Sequence, residues 1–287
     1  MVTEKNTAGH FVTRFAPSPT GFLHKGHAFA AMTAYRRAQK ENGTFLLRIE
    51  DIDQTRCKSA FVNAIYEDLS WLGLTWPEPV RIQSEHYGDY KNALDQLENL
   101  GLLYPCFCTR KDIQRELKAA QSAPHSMDGP VYPGTCKKLP NSEIKAKISA
   151  GRPYAIRLNL KRALSYIQEP IGWHDEIYNY TSASPDILGD IVLARKDVPT
   201  SYHLSVVVDD ALQKVSHIIR GDDLLHTTHI HVVLQKLLEL PAPIYHHHSL
   251  LLDDKGERLA KRIGAPSIRD DRAAGITAQE YLKSIGF

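Results

Sequence analysis

From His10 to Ile49 the apolar period changes twice. His10 to Phe15 is short, partly alternating and ends just before Pro17, which predicts a strand. Gly26 to Glu41 is rich in Ala, with apolar positions at helical spacing, and Asn42-Gly43 supplies a stop. Thr44 to Ile49 is nearly all apolar and predicts a second strand. A strand–helix–strand of this length implies parallel pairing and a right-handed crossover. Helices are expected over Phe61–Leu72, ended by Gly73, and from a capping Ser84 to Leu100, ended by Gly101. Further on, Ile191–Leu193 and Val215–Ile219 read as strands, Thr228–Leu240 as a helix before Pro241, and Thr277–Phe287 as a short helix.

Between these regions the texture changes. Cys106 to Lys138 holds three cysteines, three prolines and two glycines. Thr109-x-x-Asp112 has the form of a capping box. Lys137 to Arg162 then carries eight basic residues (Lys137, Lys138, Lys145, Lys147, Arg152, Arg157, Lys161, Arg162) against one acid, Glu143. The expected organisation is a catalytic domain whose first half is 1–104, a smaller domain inserted over 105–185, a second catalytic half over 186–245, and a C-terminal segment over 246–287. Composition narrows the class without deciding it. The 287 residues are 43% hydrophobic with a net charge of +2, which excludes extensive disorder and a strongly basic chain. Any nucleic-acid surface must therefore be a local cluster. There is no apolar run long enough to span a membrane, Met1–His10 is polar rather than signal-like, and four cysteines without an export signal point to a reducing, cytoplasmic setting.

The densest chemical signal is Arg14-Phe15-Ala16-Pro17-Ser18-Pro19-Thr20-Gly21, followed by His24-Lys25-Gly26-His27. This is a loop leaving a strand and entering a helix N-terminus, where free N–H groups and the helix dipole favour phosphate. Gly26 allows close backbone approach, and two imidazoles flank the helix start, an arrangement suited to a nucleoside triphosphate. Gly21 and Gly26 have phosphate-loop spacing, but His27-Ala28 replaces Lys-Ser/Thr, so that signature fails. Separately, Cys106, Cys108 and the downstream Cys136 could share a metal, with zinc the natural ion for such donors. The residues alone point to His125 as a fourth ligand, with Tyr132 also near; three buried free thiols are the plain alternative.

Taken together, these strings resemble the class I aminoacyl-tRNA synthetases, whose "HIGH" motif is similar to His24-Lys25-Gly26-His27. Arg14–Gly21, Arg48–Asp53, Thr200–Leu204, Val207–Asp210 and Ile219–Asp223 resemble the glutamyl branch, and Arg258-Leu259-Ala260-Lys261-Arg262 stands where that family has "KMSKS". The resemblance implies an α/β fold: a Rossmann-like parallel sheet, an inserted smaller zinc-containing α/β domain and a short C-terminal helical segment. It implies ATP with Mg²⁺, and L-glutamate. Glutamate is then held by Arg14, Phe15, Ala16, Pro17, Ser18, Glu50, Tyr202 and Arg220, and ATP by His24, Gly26, His27 and Lys261, with His24, His27 and Lys261 catalytic. It favours Tyr132 over His125 beside Cys106, Cys108 and Cys136 as zinc ligands, and places the basic stretch against tRNA. Rival readings are a surface ion pair for Glu50, a helix cap or structural pair with Asp222 or Asp223 for Arg220, and a solvated lysine on a charged hairpin for Lys261.

The last string departs from the pattern, with Arg258 for a lysine and Ala260 for a serine. Phe287 follows shortly after it, where full-length glutamyl enzymes continue into an anticodon-binding region. With the Cys cluster and Val206, this resembles the short glutamyl paralogues that attach glutamate to the queuosine base of the tRNA for aspartate. The expected partners are thus ATP, L-glutamate and queuosine-bearing tRNA(Asp), with neither DNA nor a membrane. The alternatives are a short enzyme charging a tRNA 3′ end and a non-catalytic RNA-binding regulator.

Overall fold

The structure is a computed structural model describing residues 10–109, 111–113, 125–126, 129–251 and 266–287. It opens with β1 (Val12–Phe15), α1 (Lys25–Lys40) and β2 (Thr44–Ile49), and β1 runs parallel to β2 from Val12↔Thr44 to Phe15↔Leu47. Helix α1 lies on the sheet through buried Ala28, Ala31, Met32, Ala34 and Ala38, four of them alanines whose small side chains permit close approach. The turn back needs Gly43: a Cβ there would lie 2.3 Å from the Phe11 carbonyl oxygen. Strand β2 is covered on both faces, which explains its nearly continuous apolar run. Its exception is Arg48, which is fully buried.

Next come α2 (Ser59–Trp71), β3 (Arg81–Ile82), parallel to β2, and α3 (Tyr87–Asn99). Ser84 does not cap α3. Its N–H and hydroxyl bond the Asp51 carboxylate at 2.8 and 2.7 Å within a 3-10 turn, and the helix starts at Tyr87. The chain continues through β4 (Leu103–Cys106), β5 (His125–Ser126), β6 (Gly129–Pro130), α4 (Asn141–Ser149), β7 (Ala155–Leu158) and α5 (Leu160–Ile167). It goes on through β8 (Gly172–Asp175), β9 (Asn179–Ser182) and β10 (Val192–Ala194), and returns through α6 (Tyr202–Leu212), β11 (His217–Gly221), α7 (Leu225–Leu237) and β12 (Ile244–His248). Two short helices close it: α8 (Ile268–Ala273), which sequence reasoning missed, and α9 (Ala278–Ser284).

Strands β4, β7 and β10 form a separate antiparallel sheet in the order β10-β7-β4. β11 pairs in parallel with β12, and β12 with β8, while β9 runs antiparallel at the edge. Segment 105–185 therefore contributes strands to both sheets. Ser216 joins β1 to β11: its N–H donates to the Val12 carbonyl at 3.0 Å, and its hydroxyl accepts from the Val12 N–H at 2.9 Å. The main layer thus reads β3-β2-β1-β11-β12-β8-β9. Its strand order reverses between β1 and β11, and in such sheets ligands bind in the crevice beyond the strand carboxyl ends at that point.

One core packs α1, β1, β2 and α2 under Ile268, Tyr281 and Ile285 of the C-terminal helices. A second packs α3, α6 and α7. Each fully buried Leu or Ile in them, such as Leu47, Ile65 or Leu204, contributes about 1.5–3 kcal/mol. Together they fix the crevice walls. Among the described residues no helix is long and apolar enough to cross a membrane.

Candidate active site

A cavity of about 580 Å³ occupies the crevice at the β1/β11 reversal. Arg14 and Phe15 reach it from the end of β1, Ala16 and Ser18 from the loop beyond, and His24, Gly26 and His27 from the start of α1. Glu50 follows β2, Tyr202 opens α6, and Arg220 ends β11.

The floor is a buried charge network. Arg14 grips Asp210 through Nε at 3.0 Å and Nη2 at 3.3 Å. Arg48 bridges Asp210 at 2.8 Å and Glu50 at 3.1 Å. Burial pushes the Asp210 carboxyl up, but Arg14 and Arg48 outweigh it and hold its pKa below the usual range. At Glu50 burial wins over the pull of Arg48 and Arg14, and the pKa is raised. Its charge is under-compensated, so a substrate ammonium would complete it.

Arg220 is the opposite case. It is buried, and among the described residues it makes no ion pair. Its Nε donates to His247 Nε2 at 3.1 Å and its Nη2 to Thr228 Oγ1 at 2.7 Å, while Nη1 lies 3.5 Å from His231 Nδ1. The pairing with Asp222 or Asp223 weighed from the sequence is absent, and the surface pairing weighed for Glu50 gives way to burial. A buried cation with only neutral partners favours an incoming carboxylate.

His24 and His27 form a reciprocal cap on α1. The Gly26 N–H donates to His24 Nδ1 at 3.1 Å, and the His24 N–H to His27 Nδ1 at 3.2 Å. Backbone N–H can only donate, so both Nδ1 atoms are acceptors and each neutral ring keeps its proton on Nε2. Burial lowers the His24 pKa, and burial together with His24 lowers that of His27 to about 3. Two neutral N–H donors beside a helix N-terminus suit a polyphosphate.

Away from this cavity, the sulfurs of Cys106, Cys108 and Cys136 lie within 4.8 Å of one another. The Tyr132 hydroxyl is 3.5 Å from Cys108 Sγ and accepts from the Cys136 N–H at 2.9 Å. The Arg157 guanidinium, 3.9 Å from the Tyr132 ring centre, holds the ring in place. Burial pushes the Cys108 thiol up to about 12, so its thiolate needs a cation beside it.

The model of the class I tRNA synthetases for Glu and Gln, catalytic domain, matches residues 10–283. The chain belongs to the class I aminoacyl-tRNA synthetases, in the glutamyl and glutaminyl branch. It is a ligase of that type. It is 47% identical to the glutamyl-Q tRNA(Asp) synthetase of Rhodobacter capsulatus over 96% of this chain and 99% of that one. It is 37% identical to the glutamate–tRNA ligase of Aquifex aeolicus, spanning 96% of this chain and 57% of that protein. The crystal structure of a glutamate tRNA ligase from Elizabethkingia meningosepticum in complex with its amino acid superposes with a TM-score of 0.73 at 28% identity, covering 93% of this chain and 54% of that one. The α/β fold with its parallel sheet is thus the class I synthetase fold.

Of the residues singled out in the synthetase sequence, all those proposed for glutamate line the cavity except Pro17, whose carbonyl instead accepts from the Glu50 N–H at 3.0 Å. Lys261, with Arg258 and Arg262, lies outside the described residues, as does the His125 side chain. Sequence reasoning missed Asp210, Arg48 and His247 as partners of the pocket residues. Asp210 and Arg48 stood inside quoted motifs, and the signal available was a charge in an otherwise apolar run. In the basic stretch, Lys137 pairs with Asp190 and Lys147 with Glu143, and Arg162 donates to the Gly101 carbonyl. Lys138, Lys145, Arg152 and Lys161 are exposed and, among the described residues, make no ion pair.

Proposed function

We propose that this synthetase uses ATP to convert L-glutamate to glutamyl-adenylate and transfers the glutamyl group to the queuosine base in the anticodon of the tRNA for aspartate. The observation that carries glutamate is the buried, acid-free Arg220 facing a cavity that also holds the under-compensated Glu50. An amino acid with a side-chain carboxylate supplies both missing partners, an anion for Arg220 and a cation for Glu50. Tyr202 adds a hydroxyl. A carboxylate oxygen then attacks the α-phosphorus and pyrophosphate departs. No protein nucleophile is needed: the pocket positions the reactants, and His24 and His27 donate to the phosphates. Mg²⁺ accompanies ATP as part of the substrate, and Lys261 is assigned to the same phosphates by the family motif.

The acceptor rests on the relatives' names. Glutamyl-Q tRNA(Asp) synthetases of Rhodobacter capsulatus and Symbiobacterium thermophilum are 47% and 39% identical over 96% of this chain. A hydroxyl of queuosine would displace AMP from the adenylate to give an ester. The free lysines and arginine of the basic stretch would meet RNA phosphates. We assign zinc to Cys106, Cys108, Tyr132 and Cys136, where it would tie β4 to the turn at Cys136; three thiols and a phenolic oxygen fit its preference for four ligands. Pyrophosphate exchange into ATP, run with each amino acid and no RNA, tests activation. Exchange with L-glutamate alone is expected, and exchange absent or driven by glutamine overturns it.

A further inference from the structure

The Arg220 guanidinium is held by His247 and Thr228, and His247 in turn by Asp175, side chains that the reaction itself does not use. His247 lies on β12, Thr228 on α7 and Asp175 at the end of β8, and all three are buried. His247 Nδ1 and Asp175 Oδ2 are 2.5 Å apart. On its other side His247 Nε2 receives Arg220 Nε at 3.1 Å and lies 3.2 Å from Thr228 Oγ1.

The hydrogen bookkeeping has one solution. A guanidinium only donates, so Nε2 must be a lone pair. The Thr228 hydroxyl accepts from Arg220 Nη2 at 2.7 Å, and its own proton is then free to point at the same Nε2. The single proton of a neutral imidazole therefore sits on Nδ1, and only an acceptor can face it there. Asp175 is that acceptor, itself anchored by the backbone N–H groups of Ile177 at 2.9 Å and Tyr178 at 3.2 Å.

Resting on the assignment of Arg220 to the substrate carboxylate, we propose that Asp175 and His247 are a positioning pair. Asp175 locks His247 in its Nδ1–H tautomer, and the exposed lone pair fixes the plane of the Arg220 fork. Three of the five guanidinium N–H groups are then committed to His247, Thr228 and His231, and two remain for a ligand. The alternative tautomer would set an N–H against Nε–H and turn the fork away from the pocket. Titration favours the same state. Burial, with the Arg220 cation beside it, holds His247 at about 4, while its bond to Asp175 pulls the other way. The Asp175 carboxyl, though burial raises it, is kept below its usual range by His247 and the two backbone N–H groups.

Two measurements on the full chain decide this. Nitrogen-15 NMR of labelled imidazoles, assigned through His247→Gln, reads the tautomer without reference to activity. An Nδ1–H ring with an unprotonated Nε2 is expected, and an Nε2–H ring overturns the pair. Pyrophosphate exchange then reads the consequence. His247→Ala should raise the KM for glutamate about tenfold or more, as loss of a hydrogen bond to a charged group does, with the KM for ATP nearly unchanged. His247→Gln, whose amide oxygen can still accept from Nε, should recover most of that loss. Asp175→Leu should resemble His247→Ala in glutamate KM. Equal effects on both substrates, or no recovery by His247→Gln, mean a packing role and end the proposal. If wild-type protein shows no glutamate-dependent exchange, the function proposed above falls, and the tautomer still decides the pair.

Discussion

Arg220 is buried among histidines, a threonine and the Tyr245 ring, so its charge is left for a ligand to neutralise. Arg220→Ala should raise the KM for glutamate about a hundredfold, the scale of removing one partner from a buried charge pair, and leave the KM for ATP within about threefold. Near-normal glutamate kinetics in exchange assays would remove Arg220 from the pocket's chemistry. The histidines set a pH signature. His27 and His247 are held at about 3 and about 4 in the fold, against an ordinary value of 6.5. Between those values the unfolded chain binds more protons, so the stability they contribute is full above about pH 6.5 and is lost as pH falls through the folded values. Urea midpoints should therefore drop from pH 6.5 to pH 4, and the drop should be smaller in His247→Gln; an equal drop would contradict the assignment. At this scale the motif residues were legible because they are contiguous strings. The contact between Asp175 and His247 was not, because the two become neighbours only when β8 pairs with β12.

At the scale of elements, periodicity located the β1–α1–β2 unit because each piece has one dominant spacing and a clear stop at Asn42-Gly43. Ser84 misled because a serine before an apolar run can serve a distant carboxylate instead of a helix, and Asp51 claims it. Helix α8 was missed because it is short, although Ser267-x-x-Asp270 makes a reciprocal capping box. That cap matters to the site: Ile268 N–H donates to the Leu23 carbonyl at 2.8 Å, fastening the C-terminal helices to the loop that carries His24. The cysteines were legible as a metal signal, yet a sequence could not say whether their sulfurs converge. With the sulfurs within 4.8 Å, one zinc per chain is expected by elemental analysis. Cys106→Ser should lower the metal content and the melting temperature together. Protein purified without chelators that contains no zinc, or a Cys106→Ser variant of unchanged stability, would remove the site.

For the whole molecule, the order β3-β2-β1-β11-β12-β8-β9 creates one reversal, and the loops that cross it carry the proposed glutamate and ATP groups. This arrangement was readable only in part. The parallel unit at the N-terminus announced an α/β sheet, but nothing local showed that β8 would join it or that β10 would leave it for the antiparallel sheet. Those pairings depend on contacts far apart in sequence, where side-chain periodicity carries no information. The central claim joins the pocket to its acceptor, and one transfer experiment reaches both. Labelled L-glutamate and ATP are supplied with the tRNA for aspartate, with and without queuosine, after removal of the 3′ adenosine. The account predicts alkali-labile label on the trimmed, queuosine-bearing RNA and none on RNA lacking queuosine. Label that disappears on trimming, or that ignores queuosine, would contradict it.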